Sequence, residues 1–206
     1  VHFDPQPDHL VETPLRQETL WQGSFLSLHR DEVRLPDGGT ARRVYLTHPG
    51  AVMVVPLLDD GRLVVERQYR YAVRRAFMEF PAGKLDAGEG GWACAARELR
   101  EETGYQADEW ARAGVLHPCI GYANEVIEIW FARGLRHGAR TLDEGEFLDV
   151  LALTPQELLD AVARGDLTDG KTLVGLLWWQ NVASGRFVLD WRPAAHWAPS
   201  ASGGAS

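Results

Sequence analysis

Apolar and polar positions divide the chain into short alternating runs with three stretches of helical period between and after them. Near the N-terminus, β-like stretches run from Leu20 to Leu28, from Arg30 to Leu35 and from Ala41 to Leu46, the last two separated by the turn sequence Pro36-Asp37-Gly38-Gly39. They predict a three-strand meander, too small to be stable alone, that must pack on the main domain or on a second copy of the chain. Ala51 to Leu58 is continuously apolar and Arg62 to Tyr69 alternates, with Asp59-Asp60-Gly61 as the hairpin turn between them. Tyr71 to Met78 reads as a turn. Further strands are expected over Ala113 to Pro118, Val126 to Ala132 and Leu148 to Leu153, the second with Val126, Glu128 and Trp130 on one side and Ile127, Ile129 and Phe131 on the other. A helix is expected from about Gly91 to Thr103, ended by Gly104 in the left-handed conformation. Thr154-Pro155-Gln156-Glu157 joins a capping box to a proline at the first helical position and opens a helix to about Arg164. A last helix runs from about Lys171 to Ala183. Together these predict an α+β class, a mixed sheet with helices packed on it, plus a small N-terminal antiparallel β subdomain. The expected divisions are a loosely ordered lead-in at 1–14, the meander at 15–50, the main domain at 51–185 and a C-terminal tail at 186–206, disordered after Trp191.

Composition narrows the function. With 206 residues, 45% hydrophobic and 24% charged, the chain can bury a sizeable core in one domain plus an annex, which excludes a repeat array and global disorder. The net charge is −8, and no basic run exceeds the pairs Arg42-Arg43 and Arg74-Arg75, which argues against a nucleic-acid binder. The longest apolar run, Ala51 to Val55 continuing to Leu58, falls far short of the ~20 residues that span a bilayer, so no membrane partner is expected. Val1 to Leu10 lacks the basic and apolar regions of a secretory signal, and Cys94 and Cys119 cannot build a disulfide framework. A cytoplasmic protein is expected. The seven histidines show no pair at metal-ligand spacing, so any metal is held by oxygens.

The chemistry concentrates in the helix after Gly83. At about 100° per residue, Glu98, Glu101 and Glu102 share an arc of about 100°, whereas Trp92, Ala96, Leu99 and Thr103 point well away and are expected to dock on the sheet. Like charges at this spacing destabilise a helix, and acids in its C-terminal half oppose the macrodipole. A hard divalent cation, which takes carboxylate oxygens, turns that repulsion into a binding site.

Gly83, Glu89, Arg97-Glu98-Leu99, Glu101-Glu102 and Gly104-Tyr105 resemble the Nudix box at every specified position. The resemblance implies an α/β/α sandwich and hydrolysis of a nucleoside diphosphate linked to another group. It implies that Glu98, Glu101, Glu102 and the carbonyl of Ala82 hold Mg²⁺, with Mn²⁺ as the alternative, that Arg97 orients the carboxylates, and that Glu89 holds the loop. A proton acceptor is also required; Glu144 is the first choice and Glu146 the second, both in the loop before Leu148. Glu79-Phe80-Pro81-Ala82-Gly83, Gln68-Tyr69-Arg70, Pro118 to Gly121 with Glu125, and Thr168 to Thr172 look like the ADP-ribose pyrophosphatase branch, over about Leu20 to Gln180. That branch implies ADP-ribose as substrate and AMP and ribose 5-phosphate as products. It also implies a homodimer that exchanges the N-terminal meander, and substrate contacts from Arg70, Glu79 and Glu125, with Trp21 or Phe25 stacking on adenine. Pro118-Cys119-Ile120-Gly121 departs from the Pro-Ser-Pro-Gly usual in the branch. The rivals are a relative acting on another nucleotide sugar such as GDP-mannose, and a sensor that binds ADP-ribose without cleaving it.

Three other signals carry less. Gly165, Gly170, Lys171 and Thr172 match the P-loop pattern, but a helix precedes them where a P-loop needs a strand. Trp178-Trp179 reads as core packing, and Cys94 as a small space-filler near the acids.

Overall fold

The computed structural model describes residues 8–142 and 145–198. They form two compact units, one built from the N-terminal residues through Pro49 with Cys119–Glu125, the other from Gly50–Pro118 and the chain from Val126 onward.

The first unit is a four-stranded antiparallel sheet of β1 (Thr13–Arg16), β2 (Thr19–Gln22), β3 (Ser27–Arg34) and β4 (Thr40–Thr47). β4 pairs along the whole of one edge of β3, while β2 and β1 share the other edge in succession. Two points differ from the expected meander. The stretch from Leu20 to Leu28 is two strands, because Gly23 N–H donates to the Leu26 carbonyl at 2.8 Å and turns the chain. The expected lead-in contains a 3-10 turn at Asp8–Leu10 and, from Thr13, strand β1 paired with β3. Residues 119–125 join through a bridge between Leu46 and Ala123 and through His48 N–H, which donates to Asn124 Oδ1 at 2.8 Å.

The second unit contains β5 (Ala51–Pro56), β6 (Leu63–Arg70), β7 (Arg75–Glu79), β8 (Ala82–Lys84), α1 (Gly91–Thr103), β9 (Tyr105–Leu116), β10 (Ile127–His137), β11 (Leu148–Leu153), α2 (Pro155–Arg164), α3 (Gly170–Ala183), β12 (Arg192–Pro193) and α4 (Ala194–Trp197). A five-stranded sheet runs β12-β9-β10-β5-β8 and a three-stranded sheet runs β11-β6-β7. β5 is parallel to β10 and antiparallel to β8, so the sheet is mixed as expected. β5 is buried throughout because both of its faces are covered. Val52 and Val54 meet Ala95 and Leu99 of α1, while Met53 and Val55 join Leu158 of α2 and Leu176 of α3. β10 divides as its alternation predicts, with Trp130 toward α1 and Ile127, Ile129 and Phe131 toward α2 and α3.

The helix ends follow their sequence signals. Gly104 closes α1 at φ 77°, and the reciprocal bonds of Thr154 and Glu157 open α2. Tyr71 to Met78, expected as a turn, contains most of β7, a strand whose pattern is masked by Arg74 and Arg75 beside it. The tail after Trp191, expected to be disordered, forms β12 on β9 and α4, where Trp197 meets the Trp130 ring edge-to-face at 4.9 Å. Backbone pairing to β9 and the packing of Ala194 and Trp197 on the cluster of Trp110 and Trp130 hold this short segment. The Ser/Gly-rich end at 199–206 lies outside the described residues.

Gly175 sets the approach of α3 to the loop before β8. A Cβ there would come within 2.8 Å of Phe80 Cδ2 and 3.0 Å of Met53 Cε, both in fully buried side chains. Gly175→Ala is expected to cost about 1–3 kcal/mol by overpacking, read by urea unfolding; an unchanged midpoint contradicts this packing.

Candidate active site

Four backbone features place the acids. α1 lies beside β8, and Gly83 in β8 has no side chain where Glu98 passes, since a Cβ on Gly83 would fall 1.8 Å from Glu98 Oε1. The preceding Ala82 N–H donates to Glu102 Oε2 at 3.1 Å. Cys94, beneath the loop, directs its thiol to the Lys84 carbonyl at 3.3 Å, and burial pushes its pKa up, leaving an inert space-filler. Glu89 caps the loop from the other side by accepting from Asp86 N–H at 3.1 Å.

Arg97 is the hub of this arrangement. Its guanidinium donates to both oxygens of Glu89 at 2.9 and 2.8 Å, to Glu98 Oε1 at 2.7 Å, to Glu101 Oε2 at 3.2 Å and to the Lys84 carbonyl at 3.1 Å. The hydrogen bonds from Arg97 hold the Glu89 carboxyl below the usual range. One arginine thereby ties the loop acid to two acids of the helix, using the planar fork that a lysine lacks.

The wheel sets all three acids well away from the docking face, but the structure places one of them, Glu102, on the buried side with Leu99 and Thr103. Glu102 is only 3% exposed, and the fully covered side of α1 runs through Cys94, Ala95, Leu99, Glu102 and Thr103, with Trp92 and Ala96 at its border. The backbone of β8 covers the acid side of the helix, a closure the wheel cannot see. Burial pushes the Glu102 carboxyl well above its usual pKa, and the neighbouring Glu66 and Glu98 push the same way. Glu98 is raised chiefly by burial, with Arg97 opposing and Glu101 and Glu146 adding to it. Among the described residues no three metal-ligating side chains are gathered closely enough to hold an ion; Arg97 draws Glu98 and Glu101 to itself while Glu102 turns to the Ala82 amide.

Glu66, on β6, escaped the sequence reading. It is fully buried, and neither carboxylate oxygen has a hydrogen-bond partner. Burial raises its pKa, and the charge of Glu79, its cross-strand neighbour, raises it further. The available signal was an acid directly after the apolar run Leu63-Val64-Val65.

Arg70 and Glu79 form a fork, Nε to Oε1 at 2.7 Å and Nη2 to Oε2 at 2.8 Å, and Lys171 Nζ also reaches Glu79 Oε2. Burial pushes the Glu79 carboxyl up, but Arg70 and Lys171 outweigh it and hold its pKa below the usual range. Glu79, expected to contact substrate, is 2% exposed and spends both oxygens on these cations. Arg70 keeps 40% of its side chain exposed. Lys171 also pairs with Asp169, the N-cap of α3, and Thr172 accepts from Phe80 N–H at 2.9 Å. The P-loop-like residues therefore clamp α3 to the strand end.

Trp21, Phe25 and Glu125 belong to the first unit. Trp21 lies over Gly23 and is 57% exposed. Phe25 and Glu125 line a cavity of about 300 Å³ with Leu46, His48, Cys119 and Tyr122. Glu146 is half-buried; Glu144 lies outside the described residues.

The profile of the NUDIX domain matches residues 47–173. The chain belongs to the Nudix family. It is 36% identical over 173 residues to the methanol dehydrogenase activator of Bacillus methanolicus, covering 82% of this chain and 92% of that protein. It is 34% identical to the ADP-ribose pyrophosphatase of Bacillus subtilis, over 83% of this chain and 94% of that one. A crystal structure of an ADP compounds hydrolase superposes with a TM-score of 0.74 at 24% identity, covering 85% of this chain and 95% of the other. That likeness bears out the α+β sandwich.

Two predictions follow from the geometry. Gly83→Ala displaces Glu98 and is expected to lower turnover of a cleaved substrate by roughly 100-fold, the scale of a lost electrostatic stabiliser, with far-UV circular dichroism unchanged; wild-type turnover contradicts the cradle. Because Glu66 and Glu102 are raised above the ~4.3 of an unfolded glutamate, the folded state binds their protons more tightly, and its stability declines as pH rises. In EDTA the melting temperature is expected to fall between about pH 5 and pH 9, and an unchanged or rising midpoint contradicts the burial of these acids.

Proposed function

We propose that this chain hydrolyses the pyrophosphate of ADP-ribose to AMP and ribose 5-phosphate with Mg²⁺ as its resident ion. The observation that carries the reading is a pair of buried carboxylates, Glu66 and Glu102, without a cationic partner, beside a glycine cradle that admits Glu98. Orphaned oxygens and an all-oxygen donor set suit a hard divalent cation. Glu98, Glu101, Glu102 and the Ala82 carbonyl would hold it, and Mn²⁺ would suit the same donors. When bound, such an ion neutralises pyrophosphate charge and makes a nucleophile of water. The name of the Bacillus subtilis relative supports ADP-ribose as the substrate.

The chain's own residues then have these roles. Arg97 keeps Glu98 and Glu101 in place and couples them to the loop through Glu89. Glu79 fixes the guanidinium of Arg70, whose exposed part contacts the substrate phosphates; Glu79 is thus a positioning residue. The proton of the attacking water goes to a carboxylate of the loop bearing Glu144 and Glu146, and the charge of Glu146 is felt by both Glu98 and Glu102. The P–O bond of the anhydride breaks and its electrons leave on the departing phosphate.

The first unit leaves Leu15, Leu20, Trp21 and Val44 exposed. A homodimer that exchanges this unit would bury them and complete the substrate site, with Trp21 or Phe25 of one protomer stacking on the adenine held by the other and Glu125 lining the same pocket. No described helix is long and apolar enough to cross a membrane, and a cytoplasmic enzyme acting on a small nucleotide sugar, without nucleic acid, fits this site.

Phosphorus NMR with Mg²⁺ is expected to show ADP-ribose converted to two phosphomonoesters, and Glu102→Gln to slow this by at least ~100-fold. Faster cleavage of GDP-mannose moves the specificity, and binding without cleavage of any nucleotide sugar overturns the hydrolase. Of Glu144→Gln and Glu146→Gln, the variant that slows turnover with metal affinity intact identifies the base.

A further inference from the structure

The Nudix-box helix is not the only source of buried oxygens near the acids. On β6, side chains alternate between two faces. Leu63 and Val65 enter the core with α2, whereas Val64 lines a cavity with Thr103 at the end of α1. Glu66 and Gln68 share the face of Val64, so they look toward the helix end that carries Glu102. Three acceptor atoms on this face, both carboxylate oxygens of Glu66 and Oε1 of Gln68, are buried without any hydrogen-bond partner.

Nearby positive charge is already committed. Arg97 is spent on Glu89, Glu98 and Glu101. Arg70 and Lys171 are spent on Glu79, the residue directly across the strand pair from Glu66. A buried carboxylate with no donor is among the costliest groups a fold can carry. Replacing Glu66 by an apolar residue would remove that cost, so packing does not explain the acid. What these three atoms have in common is that each is an oxygen acceptor, the donor type of hard cations.

We infer that β6 supplies part of the divalent-cation site, with Glu66 as an additional charged oxygen donor beside Glu102 and Gln68 as a neutral one on the same face. The inference rests on the metal-dependent reading above and extends the donor set from one helix and one loop to the neighbouring sheet. It makes the site a cage closed from two sides, one face supplied by α1 and the other by β6.

The test counts bound Mn²⁺ by electron paramagnetic resonance in metal-stripped full-length protein, with no substrate present. Wild type is expected to bind Mn²⁺, Glu102→Gln to lose binding, and Glu66→Gln to bind roughly 10- to 100-fold more weakly, the scale for groups that support metal ligands. Glu66→Asp keeps the charge but withdraws it by one methylene and is expected to weaken binding as well, which covers a failure of the glutamine variant to fold. If Glu66→Gln binds Mn²⁺ as wild type does while Glu102→Gln does not, the role of β6 is overturned and the metal-dependent reading stands. If Glu66→Gln merely raises the melting temperature in EDTA with Mn²⁺ affinity unchanged, Glu66 is a buried neutral acid and the inference fails. If wild type binds no Mn²⁺, both readings fall.

Discussion

Burying negative charge is the constraint on which the rest of this structure depends. A carboxylate leaves water only if something replaces its hydration, and proteins ordinarily supply arginine, lysine or backbone amides. Here Glu79, Glu89, Glu98 and Glu101 have such partners in Arg70, Lys171 and Arg97. Glu102 has one backbone amide, and Glu66 has neither a cation nor an amide in hydrogen-bond contact, only the carboxyl of Glu102 beside it. The deficit lies where α1 and β6 bring their acids together beside the backbone of β8, and raised pKa values are its electrostatic expression.

Much of the fold exists to hold that deficit in place. α1 is pinned to the sheet by Ala95 and Leu99 against Val52 and Val54. β8 passes close enough to the helix for Ala82 to meet Glu102 only because Gly83 has no side chain. On the opposite face, Gly175 lets α3 approach Phe80, and Thr172 holds the Phe80 amide. Those contacts fix the short connection from Glu79 to Ala82, which joins the Arg70 fork to the glycine cradle. Arg97 then sets the spacing of the remaining acids through a fork that ties three carboxylates at once.

The helix boundaries were legible because capping chemistry is local: Thr154 with Glu157, and Gly104, mark ends that the structure reproduces. Strand ends were less legible. β9 begins at Tyr105, eight residues before its apolar pattern starts, because backbone pairing to β10 carries the polar half. The acids of α1 were legible as a spacing, and their burial was not, since it depends on β8 crossing from elsewhere in the chain. Glu66 was invisible for the same reason: the strand pattern reports which residues alternate and is silent on what stands opposite. Glu79 was visible as part of a motif, but only its contacts with Arg70 and Lys171 show that its oxygens are already engaged.

The central claim is that the uncompensated charge around Glu102 is built for a divalent cation. Any ion that binds the folded chain and not the unfolded one raises its melting temperature in proportion to the logarithm of its concentration above Kd. The most direct measurement is therefore the melting temperature of metal-stripped protein as MgCl₂ is added at about pH 8, against NaCl at matched ionic strength. A rise with Mg²⁺ that continues with the logarithm of its concentration, and none with Na⁺, is the predicted result; equal responses to the two salts, or no response to either, would contradict the account.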